Sequence, residues 1–301
     1  PVRLKYPLKY LGKINTEEKL KEYLDDVATV GWIGNVFPQT SFHFARDLLS
    51  LFYEDNTVEK YQLYEAAPEW KRTLVKWFYD NQDPPTGLWG PRAKNGERRR
   101  KDTMNTASVL KSFIDEQGNN IHKDFPLRYK NEMAGSFLEK MNVKTPDDTK
   151  FDEWHEWELD HSKAIRTLMI YLWDGLTVEN RKKAREMAEL YIRVKFEKFF
   201  VSEEGAFSYY PHEKHATLDG PGGIISFFDH LGSFSDKKYI RLWGKDEVDD
   251  SDAENLSVTE ITGNDLKTLL NNKKINSIRF YAMNPKPGNY SADVLGIFYP
   301  E

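Results

Sequence analysis

The spacing of apolar residues predicts helices over most of the first 244 residues. Between Ser41 and Glu54 apolar side chains recur every three or four positions, the period of a helix with one buried face. Thr16 and Thr177 are suited to cap a helix start, and Pro68 is suited to a first helical turn. We therefore expect helices at 17–29, 41–54, 68–82, 103–116, 129–142, 153–173, 178–199 and 222–233.

The pattern changes after Trp243. Residues 245–252 are mostly acidic, which is typical of an exposed linker. Strands are then expected at 256–261, 275–282 and 294–299. Because three strands are too few for an independently stable domain, we expect 245–301 to pack as a short β-rich segment on the helical domain 1–244.

Two segments of the chain resemble each other. Each combines the end of an amphipathic helix, an amide or carboxylate side chain, a glycine turn and an aromatic residue two positions later. The first copy has Gln82, Gly87 and Trp89, and the second has Glu203 or Glu204, Gly205 and Phe207. Glycine permits the tight bend, the aromatic ring can fold back over the helix end, and the polar side chain can bond the turn. Because an Asp and a new helix follow each copy, the repeat predicts stacked helical hairpins.

Gln82, Gly87 and Trp89, preceded by Trp77 and Phe78, resemble the QW motif of terpenoid cyclases. That family's α/α toroid is shared by protein prenyltransferases and by many polysaccharide lyases and glycoside hydrolases. The resemblance covers 75–113 and 194–228, with the second copy degenerate. It implies a mainly α fold, an α/α toroid of helical hairpins, whose inner helices line a central cavity that binds ligands at its mouth. The predicted helices are fewer than six hairpins require, so either the ring is incomplete or further helices exist.

Composition narrows the classes of partner. Hydrophobic residues make up 39% and charged residues 30%, as in soluble globular proteins. The net charge is −5 and no long basic run exists, which argues against a nucleic-acid partner. No apolar stretch approaches the roughly 18 residues of a membrane span. The 8 Trp, 16 Tyr and 18 Phe are numerous, and such rings either fill a core or stack on flat ligands such as sugars.

The chain contains no cysteine. Disulfides, a thiolate nucleophile and Cys-ligated zinc are therefore excluded, whereas any cellular compartment remains compatible. If the chain, which begins at Pro1, is a processed product, we expect a secreted or periplasmic location.

The loop from Ser208 to His215 is the densest cluster of reactive residue types. A Tyr/His pair can remove and return protons in a polysaccharide lyase, and Asp219 can act with another carboxylate in a hydrolase. A turn rich in hydrogen-bonding residues is the alternative interpretation. The two histidines alone are weak evidence for a metal, and we expect no metal and no cofactor. The candidate catalytic residues are Tyr210, His212 and Asp219, with Tyr209 and His215 as substrate contacts.

A polar face on the predicted helix 41–54 forms a second candidate. His43 is a possible proton carrier there and Arg46 a contact for an anionic or hydroxylated ligand; a solvated face with a His43–Asp47 pair is the alternative. Asp102 is suited to cap the helix at 103–116, and Asn105 then faces a cavity. His43 is thus a further catalytic candidate. The substrate-binding candidates are Trp89, Asp102, Asn105 and Arg46.

The segment 152–161 is rich in acidic residues and histidine, but it divides on a helical wheel. Trp154, Trp157 and His161 share an apolar stripe, so we expect His161 to be a core residue. Glu153, Glu156 and Asp160 face the other way. The spacing also differs from that of the HExxH metalloprotease motif, and we expect no catalysis here.

Three functions remain open at this point. A carbohydrate-active enzyme of the polysaccharide lyase or glycoside hydrolase type leads, with a small-molecule, oligosaccharide or polysaccharide ligand. A non-catalytic glycan-binding or scaffold module of a longer protein is the second. An isoprenoid enzyme is the third, although the Asp-x-Asp-Asp motif of the cyclases is absent and the prenyltransferase zinc site needs a cysteine.

Overall fold

The structure is a computed structural model that describes residues 8–30, 38–54, 56–98, 101–217, 219–244, 280–282 and 295–297. The fold is mainly α-helical, as the apolar spacing predicts. None of the described helices combines the length and apolar character that a membrane span requires. The chain divides into two compact units, Pro1–Val143 with Ile170–Arg181 and Lys144–Met169 with Lys182–Glu301, here called the first and second unit.

In the first unit the helices surround a core of large aromatic and aliphatic side chains. Its helices are α1 (Lys9–Lys13), α2 (Glu17–Ala28), α3 (Pro38–Tyr53), α4 (Thr57–Lys60), α5 (Pro68–Asn81), α6 (Thr103–Leu110) and α7 (Lys130–Met141). The short strands β1 (Thr29–Val30) and β2 (Arg92–Ala93) pair in parallel. Thr16 caps α2 by accepting a bond from the Lys19 amide, and Pro68 occupies the first turn of α5, as expected.

In the second unit α8 (Phe151–Arg166) continues into a π-helical segment, Thr167–Leu172, which crosses into the first unit. A 3-10 turn, Trp173–Gly175, follows within the first unit. Helix α9 (Val178–Val194) begins in the first unit and ends in a second π-helical segment, Lys195–Phe199. The strands β3 (Phe200–Val201) and β4 (Ala206–Phe207) then form an antiparallel hairpin. Helices α10 (Asp219–His230) and α11 (Asp236–Trp243) follow.

One predicted helix is shorter than expected, and the predicted C-terminal elements lie partly or wholly outside the described residues. Helix α6 ends at Leu110 rather than 116, because the chain turns through 111–114 into a loop in which Asp115 accepts bonds from the Gln117 and Asn119 amides. Of the expected C-terminal strands, β5 (Phe280–Ala282) and β6 (Leu295–Ile297) pair antiparallel. The expected linker and the strand at 256–261 lie outside the described residues.

The two repeat copies have similar local geometry, one in each unit. In the first, Gln82 is 2% exposed and its amide donates to the carbonyl oxygens of Gly87 (2.8 Å) and Arg128 (2.9 Å). The Trp89 indole folds back and donates to the Phe78 carbonyl oxygen at 2.7 Å. In the second copy Phe207 folds back onto Phe196, with ring centroids 5.2 Å apart. The predicted closure of the helix end by an aromatic residue is confirmed in both.

Candidate functional site

In the second unit, two backbone hydrogen bonds connect the loop 208–215 to the last two residues of the second π-helical segment. The Ser208 amide donates to the Phe199 carbonyl oxygen at 2.8 Å, and the His212 amide donates to the Lys198 carbonyl oxygen at 2.6 Å. His212 has φ +58°, in the left-handed region that non-glycine residues rarely adopt. Such conformations concentrate at functional sites, because surrounding contacts must hold them in place.

The His212 side chain is paired with a carboxylate. Its Nε2 lies 3.1 Å from Asp148 Oδ2, and the ring is 52% exposed. Asp148 Oδ1 accepts a second bond from Lys198 Nζ at 2.6 Å. The bond from Lys198, reinforced by His212, lowers the pKa of Asp148, so this carboxylate stays charged. A carboxylate that orients a half-exposed imidazole is an arrangement suited to proton transfer.

The same loop also carries aromatic residues, which precede His212 in the sequence. The Tyr209 hydroxyl lies 2.8 Å from His155 Nδ1, and the two rings are 5.2 Å apart. Tyr210 packs edge-on against Tyr209 and against Phe151, which is 50% exposed. We call Phe151, His155, Tyr209 and Tyr210 the aromatic patch. It offers ring surface for stacking and a phenol whose proton an imidazole can take.

His215 belongs to a different pair. Its Nδ1 lies 2.7 Å from Glu204 Oε1, and Glu204 Oε2 accepts the Ala216 amide at 2.7 Å. These bonds, chiefly that from His215, lower the pKa of Glu204. Glu204 therefore binds residues of the loop, whereas the sequence had predicted a bond to the turn at Gly205. His212 and His215 bind separate carboxylates, and within the described ranges no group of three or more His, Asp or Glu side chains is arranged for a metal ion.

Two further catalytic candidates were expected, Asp219 and His43. Asp219 is the first residue of α10, and its side chain lies outside the described residues. His43 lies on α3 in the first unit, where its side chain is half-buried.

Three of the four substrate-binding candidates of the first unit, Arg46, Asp102 and Asn105, share one polar network. Arg46 on α3 donates to Asp47 Oδ1, with Nε at 2.8 Å, and to Asn105 Oδ1 at 3.3 Å. Asn105 in turn donates its side-chain amide to Asp102 Oδ2 at 2.7 Å, and Asp102 caps α6 by accepting the Asn105 backbone amide. Asp102 and Asn105 are buried, so Arg46 and Asp47 are the members that a ligand from solution can reach.

Trp89 lies in the core. It is 1% exposed, stacks on Phe113 with centroids 5.2 Å apart, and has its indole N–H bonded to Phe78. Its surroundings are those of a structural residue and leave no ring face for a sugar.

Asp148 and Lys198 are partners that the sequence did not single out, and His155 belongs to the segment 152–161, where no catalysis was expected. His155 lies on α8 beside the residues interpreted as a core stripe, and Asp148 lies 64 positions from His212 along the chain. No local spacing could join these residues, because the fold of the loop onto α8 brings them together. His161, by contrast, is the core residue expected: it is 1% exposed and its Nδ1 lies 2.7 Å from the Trp157 carbonyl oxygen.

Comparison of the chain with protein-family models, with curated proteins and with solved structures gives no match.

Proposed function

We propose that the chain is a carbohydrate-active enzyme of the polysaccharide lyase type, and that it acts at the loop 208–215. The observation that carries this proposal is the half-exposed imidazole of His212, held by Asp148 beside the aromatic patch. Exposed rings next to hydrogen-bonding side chains suit an oligosaccharide or polysaccharide, whose sugar faces stack on aromatic surfaces.

The charge state of the two carboxylates that pair with His212 and His215 favours elimination over hydrolysis. A hydrolase that uses two carboxylates needs one of them protonated near neutral pH, with a raised pKa. Asp148 and Glu204 have lowered pKa values instead. In an elimination, a base removes the proton next to the carboxylate of a uronic acid, a carbon–carbon double bond forms, and the carbon–oxygen bond to the leaving sugar breaks. His212, held by Asp148, can take the first proton, and the Tyr209 hydroxyl, paired with His155, can return one to the leaving oxygen.

We also propose that the helical hairpins belong to an arrangement of the α/α-toroid type. The two helix-end closures, at Trp89 and Phe207, support it, because each leads from one helix through a glycine turn to the next. An experimental structure in which consecutive hairpins do not follow one another around a common centre would contradict this architecture.

The test is turnover of a panel of polysaccharides that contain uronic acids and of neutral ones. An elimination leaves a double bond conjugated to the carboxylate, which absorbs in the ultraviolet, whereas hydrolysis leaves only new reducing ends. Tyr209→Phe and His212→Ala are expected to lower turnover by about 100-fold or more, because proton transfer contributes this much, with the melting temperature nearly unchanged. His215→Ala is the matched control and should retain activity, since its ring is 83% exposed and, among the described residues, pairs with Glu204 outside the Asp148–His212 pair.

Two outcomes contradict this proposal. Equal losses of stability in the Tyr and His variants would make the loop a structural element. Binding of a glycan without any product, weakened by Phe151→Ala, would instead favour the non-catalytic glycan-binding module, because the half-exposed ring of Phe151 suffices for stacking.

A further inference from the structure

The second unit contains a buried ionisable group that lies apart from the loop 208–215 in the chain. Lys195, the first residue of the second π-helical segment, is 2% exposed, and its Nζ lies 3.6 Å from Glu158 Oε1 on α8. Tyr191 on α9 is 1% exposed and donates its hydroxyl to the same Glu158 oxygen at 2.9 Å. Two buried side chains, those of Lys195 and Tyr191, thus meet at the Glu158 carboxylate.

One buried donor next to this group has no acceptor among the described residues. Trp157, which stacks on Tyr191 with centroids 5.7 Å apart, has a buried indole N–H without such a partner. The ion pair between Lys195 and Glu158 is longer than a normal hydrogen bond, and Lys195 Nζ also lies 4.0 Å from the centre of the Phe199 ring. Buried donors are normally paired, so the Trp157 indole points to an oxygen-bearing ligand or water.

The first repeat copy shows that the repeat does not need a buried lysine. Its matching segment, Val75-Lys76-Trp77, also contains a lysine, but the Lys76 side chain is 56% exposed and pairs with Asp80. A buried ion pair is weak evidence for stability, because desolvation of the two charges offsets their attraction. A chemical role accounts for the lysine better than a packing role does.

We propose that Lys195 is the nucleophile of a second site, which binds a small aldehyde or ketone and forms an imine with it, with Glu158 as the proton carrier. Tyr191 acts as a positioning residue, because its hydroxyl holds the Glu158 carboxylate. The Glu158 side chain is 23% exposed and provides the edge at which a small carbonyl compound enters. This site shares no residue with the proposed lyase site and does not depend on it.

The electrostatics of the group support a nucleophilic amine. Burial lowers the pKa of Lys195, and the charge of Glu158 offsets only part of this effect. Burial also raises the pKa of Tyr191, followed by the effect of Glu158, so the phenol remains a neutral donor. Lysines activated in this way, by burial in apolar surroundings, are the ones that form imines with carbonyl substrates. The π-helical geometry at Lys195 is itself a feature enriched at functional sites.

The reaction balances without any oxidant or reductant. Glu158 takes one proton from the Lys195 ammonium, and the free amine attacks the carbonyl carbon to form a carbon–nitrogen bond. The carbonyl oxygen receives the proton from Glu158, which gives a carbinolamine. A further proton from nitrogen, carried by the same carboxylate, lets this oxygen leave as water. The overall change is ammonium plus carbonyl to protonated imine plus water.

The experiment measures trapping of the imine on the intact chain. Acetaldehyde with cyanoborohydride at pH 7 converts each imine to an ethyl-lysine, and peptide mass mapping gives the rate at every lysine. Lys182 on α9 is the internal reference, since its side chain is 77% exposed. Lys195 is expected to react about tenfold faster than Lys182 or more, because its lowered pKa leaves more of the amine unprotonated at pH 7. Its rate should also level off at a lower pH.

A Lys195 rate equal to or below that of Lys182 overturns the proposal, and this comparison needs no variant. Glu158→Gln keeps the shape but removes the proton carrier, so it should slow Lys195 by about 100-fold and leave Lys182 unchanged; an unchanged Lys195 rate would remove Glu158 from the mechanism. His212→Ala should leave the Lys195 rate as it is, which separates this site from the proposed lyase site.

Discussion

Buried polar side chains in this protein are held mainly by backbone carbonyl groups. Gln82, Trp89 and His161 are all at most 2% exposed, and each is bonded to at least one main-chain oxygen. A buried polar group left unpaired costs about 1–3 kcal/mol, so these bonds fix where each side chain can lie. His122 follows the same rule: its Nε2 lies 2.9 Å from the Ser112 carbonyl oxygen, between the rings of Tyr53 and Phe113.

At the residue scale, His122 is expected to make the fold sensitive to acid. Burial lowers its pKa below 6.5, although the bond to Ser112 acts in the opposite direction. Between the folded pKa and 6.5 the unfolded chain binds a proton that the folded chain excludes, so the free energy of unfolding falls as pH falls through this window. Urea unfolding at a series of pH values measures the slope. His122→Gln keeps a donor and should flatten that slope between pH 6.5 and 5; an unchanged slope would assign it to other groups.

At the element scale, each repeat copy depends on a glycine turn, but the two turns have different surroundings. Gly87 and Gly205 have φ of +68° and +62°, which side chains rarely adopt. A Cβ at Gly87 would lie 2.5 Å from the Met133 amide nitrogen and from the Tyr129 carbonyl oxygen, whereas a Cβ at Gly205 meets open space. The first turn is therefore packed against the start of α7, and the second is exposed.

This difference predicts unequal effects of one substitution. Gly205→Ala is expected to lower the free energy of unfolding by about 1–2 kcal/mol, the cost of the left-handed backbone alone. Gly87→Ala adds a clash with backbone that cannot move aside, so its loss should exceed about 3 kcal/mol. Chemical denaturation of the two variants beside the unchanged protein measures both. Equal losses would mean that α7 shifts to admit the methyl group.

At the scale of the whole molecule, the two compact units share continuous helical segments. The boundary between Met169 and Ile170 lies inside the first π-helical segment, and the boundary between Arg181 and Lys182 lies inside α9. Each unit also contains one copy of the repeat. Connectivity of this kind ties the folding of one unit to that of the other, because a helix that melts on one side of a boundary loses its turns on the other.

We therefore expect a single cooperative unfolding transition. Far-ultraviolet circular dichroism follows the helices and near-ultraviolet dichroism follows the packed aromatic rings, and the two melting curves should coincide. Arg181→Pro, placed at the boundary within α9, should lower the common midpoint. Two separated transitions in the unchanged protein would show that the units unfold independently.

Most of the longer helices and several of their starts can be predicted from local sequence. Apolar spacing, the caps at Thr16, Thr177 and Asp102 and the proline at Pro68 are local properties, and local backbone preferences act within a few residues. The two helix-end closures were predictable for the same reason. In each copy the helix end, the glycine turn and the aromatic residue lie within a short stretch of sequence, about the length of three helical turns.

The tertiary structure, in contrast, determines which polar residues meet. Asp148 and His212, Tyr209 and His155, and Glu158 and Lys195 each join across more than 30 positions, and no periodicity encodes such pairs. The tertiary structure likewise places Trp89 in the core. From the sequence alone, an aromatic residue after a glycine turn was equally compatible with a ligand contact. Local sequence determines the face of a helix on which a side chain lies, but the packing of helices determines which faces touch. The chemistry of the site depends on this packing, because it brings the reactive side chains together.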